Sequence, residues 1–162
     1  MRVALQHATN KQNISDGIFY GLEKPADTLF ASTIPYCDIK LEPYAYNLEL
    51  AGQILDDAGW KMGSGNVREK DGQQLNIDLL YNSDSVTEKS IAEYLQSEYQ
   101  SIGVSLNIHG EEEQSYRDNM KAGNFDMVFN ICWGTPYDPQ SSLAAMRAPV
   151  YGDYAAQLGL DD

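Results

Sequence analysis

The stretch from residue 74 to residue 108 constrains the fold more than any other part of the chain. Leu75, Ile77 and Leu79 alternate with polar neighbours up to Tyr81, which is the period of a strand with one apolar face. Ser85 or Thr87 then opens a helix through Ser101, carried by Ile91, Tyr94, Leu95, Tyr99 and Ile102 and closed by Gly103. Val104, Leu106 and Ile108 resume the strand period. Strand, helix and strand in that order predict a right-handed parallel crossover. The fold class is therefore read as α/β, a mixed sheet with a βαβ unit flanked by helices.

The flanking segments fit this frame. Residues 2–9 read as a short helix with Val3, Leu5 and Ala8 as core candidates. Asn10 or Asn13 starts a second helical stretch through Ile14, Ile18 and Phe19, ended by Gly21. Residues 22–46 carry Pro25, Pro35 and Pro43 among scattered aromatics and predict a long irregular segment. Asn47 is a good cap for a helix over 48–58, where Leu48, Ala51, Ile54, Leu55 and Ala58 share one face. Gly59 supplies its stop, and Trp60 is placed to pack back on it. Asp71-Gly72 predicts a hairpin over 67–81, with arms 67–70 and 74–81. A further helix is expected over 111–123 with Tyr116 and Met120 inward, a third strand over 125–131, and a helix from Asp138-Pro139 to about Arg147.

Length and charge narrow the function classes. A chain of 162 residues suggests about one domain. With 11 basic against 24 acidic side chains the net charge is −13, which opposes binding to nucleic-acid phosphates or to an anionic membrane surface. No apolar run approaches the ~20 residues of a membrane span. Cys37 and Cys132 form no CxxC pair and read as semi-buried thiols; a disulfide between them requires the fold to bring them together. Residues 1–8 read at once as helix, with no export signal, and the chain stops after Asp162 without a clear closing element. The expectation is a piece of a longer protein.

Enzyme signatures are absent: no GxSxG, HExxH, P-loop or GxGxxG occurs. His7 reads as a structural histidine on an amphipathic helix. His109-Gly110-Glu111-Glu112-Glu113 resembles a metal cluster only superficially, and reads better as a solvated acidic helix start. Asp56-Asp57 has no context that would raise a carboxyl pKa. No catalytic residue and no metal ligand is assigned. The informative segment is Cys132-Trp133-Gly134-Thr135-Pro136-Tyr137-Asp138-Pro139. It leaves a strand's carboxyl end for a helix start, the place where open α/β sheets bind ligands and where backbone N–H groups hold anions. By composition alone, core packing is the better reading of Trp133 and Tyr137.

At these residues the chain resembles a known family. The runs 124–129, 133–139 and 142–149 look like those of the nickel-binding proteins of ABC importers, members of the extracytoplasmic peptide- and nickel-binding family. Residues 4–11, 26–31, 58–60, 68–73 and 110–113 match in the same order. The resemblance implies a lobe like those of type II periplasmic binding proteins. Residues 1–162 would be most of the second lobe of a two-lobed receptor, a partial domain without its first lobe and C-terminal return. It implies an extracytoplasmic location, a monomeric state, and hinge closure on a cargo delivered to a membrane permease. The cargo would be nickel in a small-molecule chelate, with no intrinsic cofactor. Carried over by motif, Trp133 and Tyr137 line the pocket. Tyr151 stands where the nickel branch has a histidine after Met-Arg-x-Pro-x, and Asp138-Pro139-Gln140 replaces its Asp-Pro-His. A phenol with a pKa near ~10 is a poor nickel ligand at neutral pH, so Tyr151 is counted as a ligand-binding position and not as a metal ligand. Two alternatives stay open: an oligopeptide receptor of the same family, and a metal-dependent hydrolase using His109 with two of Glu111, Glu112 and Glu113.

Overall fold

Helices begin where a short polar side chain can accept the orphan N–H groups of a first turn. The computed structural model, which describes residues 1–28 and 30–130, follows that rule closely. After α1 (Arg2–His7), Asn10 opens α2 (Lys11–Ile18) by accepting the Asn13 N–H at 3.0 Å. Asn47 opens α3 (Leu48–Asp57) by accepting the Leu50 N–H at 2.9 Å. Ser85, rather than Thr87, opens α4 (Val86–Ser101) by accepting the Glu88 N–H at 3.2 Å. α5 (Glu113–Ala122) ends at Gly123, whose φ of 72° is the left-handed stop of a helix.

Two small sheets result. β1 (Lys61–Met62), β2 (Arg68–Lys70) and β3 (Gln73–Gln74) form an antiparallel meander. β4 (Asn76–Asn82), β5 (Ser105–Glu111) and β6 (Met127–Val128) form a parallel sheet in the order β5-β4-β6. β4 and β5 run in register from Asn76 opposite Ser105 to Asn82 opposite Glu111, with α4 as the crossover. The expected βαβ unit is therefore present.

β4 is covered on both faces. Ile77, Leu79 and Tyr81 join Ala92, Leu95 and Tyr99 of α4, with Val104 and Leu106, in the main core. Ala4 and Ala8 of the first helical stretch and Ala51 and Leu55 of α3 complete it. Leu80 turns the other way and packs with Tyr116 and Met120 of α5. Trp60 is partly buried against the main core, as expected.

Several sequence expectations are corrected. The hairpin over 67–81 is real only between β2 and β3. Leu75 is the switch: its N–H still donates to the Arg68 carbonyl at 2.7 Å, while its own carbonyl accepts the Ser105 N–H at 3.0 Å. From there the chain belongs to the parallel sheet, because Ile77, Leu79 and Leu80 need cover on two faces, which a two-stranded hairpin cannot supply. β1, which was not expected, completes the meander. Val3 is 42% exposed, and Ala4 takes the buried position, since an alanine lets α1 lie close on α3. β5 continues through Glu111, so His109, Gly110 and Glu111 are strand residues, and the helix start is Glu112-Glu113. Among the described residues of the third strand expected over 125–131, the strand covers Met127–Val128, and residue 131 lies outside the described residues. The helix expected from Asp138 lies outside the described residues.

The meander, α3 and α4 are joined by one buried cation. Arg68 donates through Nε to the Ile102 carbonyl at 2.7 Å, and through Nη1 to the Trp60 carbonyl at 2.7 Å and Asp56 Oδ1 at 2.9 Å. Its backbone N–H donates to the Gly103 carbonyl at 2.8 Å. Gly103, with φ of 81°, sits so close that an added Cβ would lie 2.8 Å from Met62 Sδ and 2.9 Å from Arg68 Cγ. The Arg68 hydrogen bond, and then its charge and that of Lys61, hold the Asp56 carboxyl below the ordinary carboxylate range. Residues 19–46 run irregularly over the helices and are pinned at their end. His7 Nδ1 lies 2.8 Å from the Ala45 carbonyl, and Tyr46 donates to Glu98 Oε2 at 2.5 Å, a bond that pushes the phenol up to about 12. His7 is thus the structural histidine its sequence context suggested.

Two predictions concern this framework. Arg68→Met leaves the Ile102 and Trp60 carbonyls without their donor, and should lower unfolding free energy in urea by about 2–4 kcal/mol. The Asp56 contribution is full above the unfolded carboxyl value of about 4 and is lost as pH falls through the lower folded value, so Asp56→Asn should flatten the acid limb of the stability–pH profile. Gly110→Val is the second case: a Cβ there would lie 2.6 Å from the Tyr81 ring. Its cost should be about 1–3 kcal/mol, and Tyr81→Leu in the same chain should recover part of it.

Candidate functional site

The carboxyl ends of parallel strands gather at one edge, and the loops leaving them are the natural ligand positions of such a sheet. Here that edge comprises Asn82 at the end of β4, Glu111 at the end of β5, and Phe129-Asn130 after β6. Asn82 organises it. Its backbone N–H donates to Glu88 Oε2 at 2.8 Å, its carbonyl accepts the Ser85 N–H at 2.9 Å, and its side-chain oxygen accepts the Asp84 N–H at 2.9 Å. Its amide donates to Glu113 Oε2 at 2.6 Å. One side chain thereby links the starts of α4 and α5 to the strand between them. Asn82, Ser83 and Asp84 make an Asx turn, a local signal readable in the sequence that was not used to nominate Asn82.

The other two strand ends are fixed from α5. The Ser83 N–H donates to the Glu111 carbonyl at 2.8 Å, and Ser115 donates to Glu111 Oε2 at 2.8 Å. The Tyr116 hydroxyl donates to the carbonyl of Phe129, the residue that follows β6. Tyr116 was expected only as an inward core residue; its buried ring does pack on Leu80, while its hydroxyl steers the chain as it leaves the sheet. Trp133, Tyr137 and Tyr151 lie outside the described residues. The structure fixes the strand end from which the Trp133–Pro139 run departs.

The rim is acidic. Asp84, Glu88, Glu111, Glu112 and Glu113 cluster at it in the chain, and Arg117 pairs with Glu113 at 2.5 Å. Glu88, Glu111 and Glu113 spend carboxylate oxygens on the hydrogen bonds just described. His109, two residues before Glu111, turns to Asp78 instead, with Nε2 3.1 Å from Oδ1. Asn107 donates to the same Asp78 oxygen at 2.9 Å, and these two bonds, Asn107 first, lower the Asp78 carboxyl from its ordinary value. Among the described residues no three His, Cys, Asp or Glu side chains are grouped to hold a metal ion. The convergence that the hydrolase reading needs from His109 and Glu111–Glu113 is missing.

Two grooves lie away from this rim. One of about 410 Å³ runs between α4 and the amino-terminal half of β5, lined by Gln96, Gln100, Ser105 and Asn107. The other, about 360 Å³, lies between α1 and β6, beside Leu5, Tyr99, Met127 and Val128. Cys37 is buried, and Cys132 is outside the described residues. No described helix is long and apolar enough to cross a membrane.

Comparison with known proteins places this architecture. The profile of "Bacterial extracellular solute-binding proteins, family 5 Middle" matches residues 1–153. The nickel-binding periplasmic protein of Escherichia coli K12 is 40% identical over 163 residues, covering 100% of this chain and 31% of that protein. The crystal structure of NikA from Brucella suis in complex with Fe(III)-EDTA superposes with a TM-score of 0.90 at 45% identity, over 99% of this chain and 32% of that one. The oligopeptide-binding protein AppA of Bacillus subtilis, solved with a nonapeptide, gives 0.77 at 25% identity, over 85% of this chain and 28% of that one. The chain spans about a third of the length of these relatives. A parallel βαβ sheet with this rim, matched by the profile over residues 1–153, belongs to the bacterial extracellular solute-binding proteins of family 5.

Proposed function

We propose that this chain is most of one lobe of the substrate-binding component of an ABC importer, an extracytoplasmic receptor that captures chelated nickel or a related metal–chelator complex and hands it to a membrane permease. It is a binding protein and not an enzyme. The observation that carries the reading is the likeness along the whole chain to a nickel-binding periplasmic protein, at 40% identity. The Brucella suis structure, whose ligand is Fe(III)-EDTA, supports the narrower point that the metal arrives wrapped. A chelated cargo also fits Tyr151, since a metal whose coordination is filled by its chelator needs no imidazole from the protein.

In this reading Trp133 and Tyr137 are walls of the cleft, reached directly from the strand end that Tyr116 fixes. An indole and a phenol shape a pocket while their polar tips orient a ligand. The other lobe closes over them by hinge motion, and the closed form is what the permease recognises. The oligopeptide reading has one observation of its own, the AppA likeness at 25% identity, and ranks second on that figure.

The deciding experiment is elemental analysis with native mass spectrometry on the full-length protein purified gently from its source. Nickel together with a small polycarboxylate or amino-acid mass is expected. A metal-free protein carrying a peptide mass transfers the chain to the oligopeptide branch. In the same protein, Trp133→Ala should weaken binding of a nickel chelate by about tenfold or more, roughly 1.4 kcal/mol, without lowering the unfolding midpoint. Unchanged affinity in calorimetry returns Trp133 to a packing role.

A further inference from the structure

Asp78 faces β6 with both its backbone groups. Its N–H donates to Asp126 Oδ2 at 2.9 Å, and its carbonyl accepts the Asp126 N–H at 3.0 Å. Backbone groups alternate in direction along a strand, so Leu80 and Asn82 face the same way. β6 is in register with β4 at Leu79 opposite Met127 and Leu80 opposite Val128. If the parallel ladder continued, its next bond would run from the Asn82 N–H to the Phe129 carbonyl. That bond is not made. The Asn82 N–H donates to Glu88 Oε2 at 2.8 Å, and the Phe129 carbonyl accepts the Tyr116 hydroxyl. Two side chains, one from α4 and one from α5, stand where the next rung would be.

The position of this break is informative. β4 leads through α4 to β5 on one side, while β6 lies on its other side, so the connections diverge between β4 and β6. Such a switch point, at the carboxyl ends of the strands, is where open α/β sheets form a ligand crevice. The Tyr116 hydroxyl is not required by the packing around it. A phenylalanine ring would fill the same space against Leu80 and Met120, and a buried hydroxyl is costly unless it is bonded. Its bond to Phe129 fixes the direction in which the chain leaves the sheet. Trp133 follows Phe129 by four residues, within about 14 Å of extended chain.

We infer that Tyr116 is a positioning residue of the cargo site. Together with Glu88 it stops β6 from zipping further along β4, and so directs the Trp133–Pro139 run into the switch-point crevice. The inference rests on the proposed function above, in which Trp133 and Tyr137 line the cleft. Without the hydroxyl, the Phe129 carbonyl competes with Glu88 for the Asn82 N–H. In part of the molecules the run then departs from a strand end one rung further along. Cargo affinity falls in proportion to the fraction that keeps the competent exit.

The test uses the full-length protein with Fe(III)-EDTA as the probe. Tyr116→Phe should weaken binding about threefold to tenfold in calorimetry. Met120→Ala, which opens the same small core, should lower the unfolding midpoint and leave affinity unchanged. A second readout needs no ligand. In protein labelled with 5-fluorotryptophan, the fluorine resonance assigned to Trp133 by Trp133→Phe should move in Tyr116→Phe, while that of Trp60 stays. Unchanged affinity in Tyr116→Phe, or an unmoved Trp133 resonance, overturns the inference. So does an equal loss of affinity in Met120→Ala, since packing alone then accounts for the effect. A parent protein that ignores Fe(III)-EDTA and carries a peptide defeats the choice of cargo alone. In that case the Trp133 resonance decides the role of Tyr116, which stands if the resonance moves and falls if it does not.

Discussion

A guanidinium taken out of water is destabilising unless its donors are all directed at acceptors, and that requirement organises the half of this structure that carries the meander. Arg68 is 6% exposed and gathers the Ile102 and Trp60 carbonyls and the Asp56 carboxylate. Those three acceptors come from the end of α4, the turn after α3 and α3 itself. The small antiparallel sheet has few apolar side chains of its own, so it keeps its place largely through this cation. Gly103 is the sterically necessary partner, since any side chain there would meet Met62 and Arg68.

The parallel sheet solves a different problem. β4 lies between two neighbours and between two layers of helix, and its residues divide accordingly, Ile77, Leu79 and Tyr81 toward α4 and Leu80 toward α5. Because both faces are committed, the polar chemistry of the sheet is displaced to its ends. At the carboxyl edge Asn82 and Tyr116 bind the outgoing loops to the starts of α4 and α5. The loops leaving this edge therefore start from strand ends that side-chain hydrogen bonds hold in place.

Membership of the solute-binding family joins these two devices to one use. The family's relatives include proteins solved with a metal chelate and with a peptide, ligands that share little chemistry. One fold can serve ligands this different, because function lies in the side chains that loops present and not in the scaffold that carries them. On the acidic rim, Glu88, Glu111 and Glu113 hold the scaffold together through their carboxylates.

Local patterns determined much of this protein. The polar caps Asn10, Asn47 and Ser85, the stops at Gly59, Gly103 and Gly123, and the strand–helix–strand period from 74 to 108 all act through neighbours a few residues apart, so they are legible in the chain. The motif runs that resemble the nickel branch were legible for the same reason, as linear strings. Tertiary structure decided what depends on distant partners. It ended the hairpin at Leu75, because the alternating residues beyond it are buried by helices that no turn signal announces. It drew His109 into a strand beside Asp78, 31 residues away in sequence, where a helix had been expected. It made Arg68 a buried hub, although an arginine in a polar strand reads as solvent-exposed until Asp56, Trp60 and Ile102 are brought around it. Short-range hydrogen bonding and periodicity are properties of the chain, whereas burial is a property of the assembled layers, and only the assembled layers could assign it.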